Sequence, residues 1–125
     1  MGHQSDRRKE TGTRGETLAA AFVAREGMVL LARNWRCRTG EIDLVAMDGD
    51  HVVFLEVRTR KSVSRFGSPA ESVDPRKQRQ VRQTAQVYLL QHPVKPHVQP
   101  RFDVISITLA PDNTLQQLNH IKNAF

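Results

Sequence analysis

Apolar residues recur along this chain in more than one rhythm, and each rhythm predicts an element. Over residues 13–26 they return at Leu18, Ala21, Phe22 and the aliphatic stem of Arg25, which predicts an amphipathic helix stopped by Gly27. Residues 28–35 are short and rich in Val and Leu and predict a strand. Residues 41–47 and 52–59 predict two more strands around a turn. Residues 60–73 contain Ser, Gly and Pro and predict a loop. Asp74-Pro75 offers an N-cap and a proline at the first helical position. The helix begun there should run to about Gln91, where His92-Pro93 ends it. Residues 101–109 predict a further strand and 115–121 a weaker one. Residues 1–12 are polar, charged and aperiodic, and predict a flexible tail before a single domain over 13–125.

The order is helix, three strands, helix, then one or two strands. The first three strands can form an antiparallel meander. The second helix is long enough to cross over and bring the next strand in parallel to the third. The expected fold class is therefore α/β, a mixed central sheet flanked by helices, with an αβββαβ core.

Within the meander, GEIDLVAMDGDHVVFLEVRTRKS sets carboxylates among residues that otherwise suit a core. Side chains alternate across a strand. Glu41, Asp43, Val45 and Met47 should share one face of the first strand, and Ile42, Leu44 and Ala46 the other. On the next strand Val52, Phe54, Glu56 and Arg58 share a face. A hairpin loop of two or four residues puts Asp43 opposite Glu56 on one side of the sheet, whereas a three-residue loop does not. Two facing carboxylates repel each other and persist when a cation lies between them. Arg58 can supply that charge as a structural ion pair. A divalent ion is the sharper alternative, because Mg²⁺ favours one or two carboxylates completed by water and phosphate oxygens.

Charge changes the picture further. The chain has 125 residues, enough for one core, and a formal net charge of +6. The segment from Arg58 to Arg82 holds eight Arg and Lys against Glu71 and Asp74, so it carries the whole excess. Nucleic acid is the first partner such a basic segment suggests. Arg60, Lys61, Arg76, Lys77, Arg79 and Arg82 are the candidate phosphate contacts. Lys77 also extends the stripe of Val81, Ala85 and Tyr88 by one turn, so either it points inward toward an anion or its stem lies on apolar surface with the ammonium in water. With no long apolar segment, no signal-peptide pattern and Cys37 as the only cysteine, a cytoplasmic protein without membrane partners is expected. The five histidines show no metal-ligand spacing and are expected as scattered surface residues.

Asp43 followed by Glu56-Val57-Arg58 resembles the PD-(D/E)XK nuclease signature. Arg14-Gly15-Glu16, Arg33-Asn34-Trp35-Arg36, GEIDLVA, VVFLEVRTR, Phe66-Gly67-Ser68-Pro69, Lys77, Arg101-Phe102-Asp103-Val104 and the ending from His120 to Phe125 occur in order, and together resemble the YraN family. That family is similar to archaeal Holliday-junction resolvases, and the likeness spans residues 13–125. The resemblance implies a restriction-endonuclease-like fold and a Mg²⁺- or Mn²⁺-dependent endonuclease that hydrolyses DNA phosphodiesters, branched DNA in recombination or repair among them. It leaves room for a homodimer. Asp43 and Glu56 match the metal-binding acidic pair, and Glu16 the acidic residue that resolvase-like members add. Arg58 stands where the pattern usually has Lys. Lys can release a proton and Arg effectively cannot. Arg58 therefore suits charge neutralisation on the phosphate better than general-base work. The same fold as a weakened or inactive nucleic-acid-binding module is the alternative.

Overall fold

The structure, a computed structural model, describes residues 3–62 and 73–125, with side chains from residue 8. Its elements are α1 (His3–Arg25), β1 (Val29–Cys37), β2 (Gly40–Asp48), β3 (His51–Lys61), α2 (Pro75–Gln91), β4 (Gln99–Leu109) and β5 (Leu115–Ile121). Most of the predicted loop, including Phe66-Gly67-Ser68-Pro69, lies outside the described residues.

The strands form one sheet in the order β1-β2-β3-β4-β5. β1, β2 and β3 are antiparallel neighbours, β4 joins β3 in parallel, and β5 is antiparallel to β4. This is the mixed sheet that the element order predicts. The β2–β3 connection is the two-residue kind, because Asp48 pairs with His51. α2 starts as its sequence requires: the Asp74 side chain accepts from the Lys77 N–H at 2.9 Å, and Pro75 opens the helix.

Each face of the sheet carries one helix. Ala19, Ala20 and Val23 of α1 pack with Leu44, Ala46, Val53, Leu55, Ile105, Ile107 and Leu109. Val81, Ala85 and Tyr88 of α2 pack with Ile42, Val45, Val52, Phe54 and Phe102. Removing a large side chain from either layer, as in Leu55→Ala, is worth about 2–5 kcal/mol. No helix among the described residues is long and apolar enough to cross a membrane.

α1 differs from its prediction at its start and in its phase. It begins at His3, where a flexible tail was expected through residue 12. Arg8, Lys9 and Glu10 are good helix formers although exposed, and extending an existing helix gains a hydrogen bond for each residue added. The buried stripe runs through Gly15, Ala19 and Val23, while Ala21 is exposed. These small residues let the helix approach the sheet closely. A Cβ added at Gly15 would stand 1.9 Å from Thr59 Oγ1 and 2.8 Å from Thr59 Cβ, so only glycine fits there beside β3.

On the α1 side, β4 and β5 hold a buried polar network. Arg101 Nε donates to Asp103 Oδ1 at 2.9 Å, and an Arg101 terminal nitrogen donates to Asp48 Oδ2 at 2.9 Å. The Asn123 N–H donates to Asp103 Oδ1 at 2.9 Å, and His120 Nε2 lies 2.8 Å from Asp103 Oδ2. The Arg101–Asp103 pair follows from strand parity. His120 departs from the expected surface position: it pairs with Asp103 and meets Phe22 edge to face at 5.7 Å. Both contacts come from tertiary packing, which local spacing does not encode.

Candidate functional site

The acidic residues gather where β2 parts from β3. The β2–β3 ladder pairs Asp48 with His51 and ends at Leu44 with Leu55. One step further it would pair Asp43 with Glu56. There the Asp43 carboxylate leaves the ladder pattern and accepts the Val57 N–H at 2.8 Å.

A second irregularity lies on the other side of Asp43. Ala32 pairs with Val45 and Trp35 with Ile42, and all four pack on the α2 side. They are three residues apart on each strand, so the simple alternation slips by one at Asn34 and Asp43. Asn34 takes φ = +49°, a conformation that Asn tolerates better than most residues. This corrects the predicted faces: Ile42 is buried beneath α2, whereas Leu44 and Ala46 face α1.

The slip brings α1 and β2 together. Asn34 Nδ2 donates to Glu16 Oε1 and to Glu41 Oε1, each at 3.0 Å. Arg36 Nε donates to Glu41 Oε2 at 3.0 Å. Glu16, Glu41 and Asp43 each offer a carboxylate oxygen, and these oxygens lie within 4.8 Å of one another. Because α1 begins at His3, Glu16 sits well inside the helix. Attraction to the helix N-terminus therefore does not account for its position.

Glu56 lies outside that trio but interacts with it. It is 4% exposed, and its Oε1 has no hydrogen-bond partner among the described residues. Its other oxygen is 3.8 Å from Lys77 Nζ, so α2 does turn Lys77 inward. Burial pushes the Glu56 carboxyl up to about 7, with the Asp43 charge adding to the rise and Lys77 and Arg58 opposing it. Burial likewise raises Asp43 to about 6, against the Val57 hydrogen bond, while Glu16 and Glu41 add repulsion. This is negative charge gathered with too little positive charge around it. Arg58 lies next along the same face of β3, and its Nε is buried without a partner among the described residues.

The basic candidates divide. Arg76 and Arg79 are exposed on α2. The Arg82 guanidinium lies 4.8 Å from the Phe102 ring centre and 5.7 Å from that of Phe125. The Lys61 ammonium donates to the Pro111 carbonyl at 3.4 Å and to Asn113 Oδ1, which ties it to the β4–β5 turn. Arg60 is half-buried near the end of β3. The sequence reading gives Asn34 no role beyond a family motif and Glu41 none beyond sharing the strand face of Asp43. An Asn inside an otherwise strand-like run was the available signal, because Asn is poor in strands and tolerant of positive φ.

This fold and site accompany a clear family assignment. The chain belongs to the Uncharacterised protein family UPF0102, whose model matches residues 15–107. UPF0102 is the family called YraN above. The chain is 44% identical over 119 residues to a UPF0102 protein from Caldanaerobacter subterraneus, an alignment covering 94% of this chain and 96% of the relative. It is 41% identical over 117 residues to a UPF0102 protein from Clostridium botulinum strain 657, covering 94% of each. The matched span contains Glu16, Asn34, Glu41, Asp43, Glu56 and Lys77.

Proposed function

We propose that this protein is a metal-dependent DNA endonuclease of restriction-endonuclease-like fold, acting on phosphodiesters in branched DNA. The observation that carries this reading is Glu56, a buried carboxylate with one oxygen unpartnered among the described residues, set beside Asp43. Such a group is costly unless a proton or a cation completes it. The donors are hard oxygens, which suit Mg²⁺ or Mn²⁺. Asp43, Glu56 and Glu16 would hold the ion. When bound, it supplies positive charge to the carboxylates and the phosphate and makes water more acidic.

The chain's own residues do the rest. The Val57 N–H fixes the Asp43 carboxylate. Lys77 balances part of the Glu56 charge and brings an amine that can exchange a proton, which Arg58 cannot do. Arg58 places a permanent cation beside Glu56, suited to a phosphate oxygen. Arg76 and Arg79 line the exposed side of α2, where a DNA backbone is attracted by charge. A cytoplasmic location fits this reading.

A catalytically weak nucleic-acid-binding module on the same fold is the second reading. It is favoured by Arg58 itself, since the β3 cation nearest along the chain to Glu56 holds its protons too tightly to exchange one. Incubation with junction, flap, single-stranded and duplex DNA separates the two, with Mg²⁺, Mn²⁺ or chelator in parallel. Ion-dependent cleavage is the expected result. Salt-dependent binding without cleavage in any arm would replace the nuclease by the binding module. Neither binding nor cleavage would remove both.

A further inference from the structure

We propose that Arg36, Glu41 and Asn34 form a brace that holds Glu16 of α1 in the acidic site, so that Glu41 is a positioning residue and not a ligand. The proposal rests on the metal-site reading above for its consequences, but not for its geometry. Asn34 has two side-chain N–H donors and uses both, one on Glu16 Oε1 and one on Glu41 Oε1. The opposite amide orientation would turn its carbonyl oxygen toward two carboxylates, which is repulsive, so the donors face them. Glu41 is then held from both ends, with Oε1 on Asn34 and Oε2 on Arg36 at 3.0 Å. Glu16 receives the Asn34 bond on Oε1, which leaves Oε2 outside the brace.

The brace depends on the slip in the sheet. Asn34 sits at φ = +49° between Arg33, paired to Leu44, and Trp35, paired to Ile42. Regular alternation would send its side chain to a different place. The positive φ and the amide are thus separate requirements that Asn meets together. Gly meets the first, and most other residues meet neither. Glu16 arrives on a helix whose height is already set by Gly15 against Thr59. Asn34 then joins that helix side chain to a strand side chain. It holds two like charges close before any cation arrives.

Two measurements test this on the full chain. The first is NMR of ¹⁵N-labelled protein free of divalent ions, observing the two Asn34 side-chain amide protons. Glu16→Ala should move one of them toward a free-amide position and Glu41→Ala the other. If neither proton moves in either variant, the brace does not exist. The second is calorimetric titration with Mg²⁺. Asn34→Gly keeps the backbone conformation and removes the amide. It should weaken Mg²⁺ binding by about tenfold or more with little change in melting temperature. Glu41→Gln keeps an acceptor for Asn34 and loses only the bond to Arg36, whose side chain is 75% exposed. It should bind within about fivefold of wild type. Glu16→Gln should lose more than Asn34→Gly does. If Glu41→Gln loses as much as Glu16→Gln, Glu41 is a ligand and the assigned role is wrong. If wild-type protein takes up no Mg²⁺, the metal reading falls, and the amide spectrum alone decides the brace.

Discussion

Asp103 and Glu56 are both buried carboxylates on one sheet, one residue type apart, and they have opposite acidities. Burial by itself raises Asp103, but hydrogen bonds from His120, Arg101 and the Asn123 N–H more than reverse it and hold the group at about 2. Burial raises Glu56 too, and there the nearby Asp43 charge adds to the effect, leaving it at about 7. Asp103 accepts bonds on both oxygens, while Glu56 has one oxygen without a partner among the described residues and an ammonium 3.8 Å from the other. Burial alone therefore does not mark a functional carboxylate. What distinguishes the two is whether the chain supplies the compensating donors. At Asp103 it does, and the network is structural. At Glu56 the described residues leave one oxygen without a donor, which is a cost in stability that a ligand can relieve.

The largest test of this contrast is cleavage. Asp43→Ala and Glu56→Ala should abolish ion-dependent cutting, while Asp103→Asn should leave the rate per folded molecule near wild type. Arg58→Ala should slow cleavage by about a hundred- to thousandfold, as the loss of one charge-stabilising donor does elsewhere. Arg58→Lys should retain or raise the rate. All are read as single-turnover rates at saturating Mg²⁺ or Mn²⁺. Wild type and Arg58→Lys that both bind DNA and cut nothing would leave only the binding module.

Stability should move in opposite directions at the two sites. Asp103→Ala takes the shared acceptor from Arg101 and His120, leaving Arg101 its bond to Asp48, and should cost about 3 kcal/mol. Glu56→Gln removes a strained charge and should stabilise the protein at neutral pH, by at most about 3 kcal/mol on the shift from 4.5 to about 7. The pH dependence follows with opposite signs. Asp103 is more acidic when folded, so its contribution is present above pH 3.8 and is lost as pH falls through about 2. Glu56 is less acidic when folded, so stability falls as pH rises from 4.5 through about 7, and Asp43 acts likewise between 3.8 and about 6. Urea unfolding across pH 2–8 reads both limbs. Glu56→Gln should shrink the neutral one and leave the acid one intact.

The smallest effect concerns the basic face. Arg76→Ala with Arg79→Ala should lower the slope of log affinity against log salt by about two, if each contacts one phosphate. Arg82→Ala should add less to that slope and cost about 0.5–1 kcal/mol, because Arg82 already covers Phe102 and Phe125. An unchanged slope in the double variant would assign the basic face to another partner.

Most of the architecture was legible because its signals are local. Asp74-Pro75 begins α2 as read, and Val53 and Leu55 alternate with Val52 and Phe54 as strand parity requires. The site was legible only in part. Parity put Asp43 opposite Glu56, where the observed ladder has ended one step earlier, and grouped Glu56 with Val52 and Phe54, but it carried Ile42 to the wrong face. A fixed period cannot show a slip, and this one arises from a single backbone conformation at Asn34. The start of α1 was missed for a different reason. Arg8, Lys9 and Glu10 are equally at home in a solvated helix and in a tail, so composition does not choose. His120 shows no sign of its partner, because Asp103 reaches it through the fold.

The contact between Gly15 and Thr59 limits how this sequence can change. A methyl group at position 15 would overlap the Thr59 side chain at its Cβ as well as its hydroxyl, so rotating Thr59 does not make room. Neither position can drift alone toward greater bulk. An alanine at 15 becomes tolerable only together with a glycine at 59, and that exchange gives up a β-branched residue in a strand. Because Glu16 follows Gly15 directly, a mutation that lifts the helix would also shift the neighbouring carboxylate. Two positions far apart in the chain thus form one heritable unit, and a library that varies them independently would consist mostly of misassembled proteins.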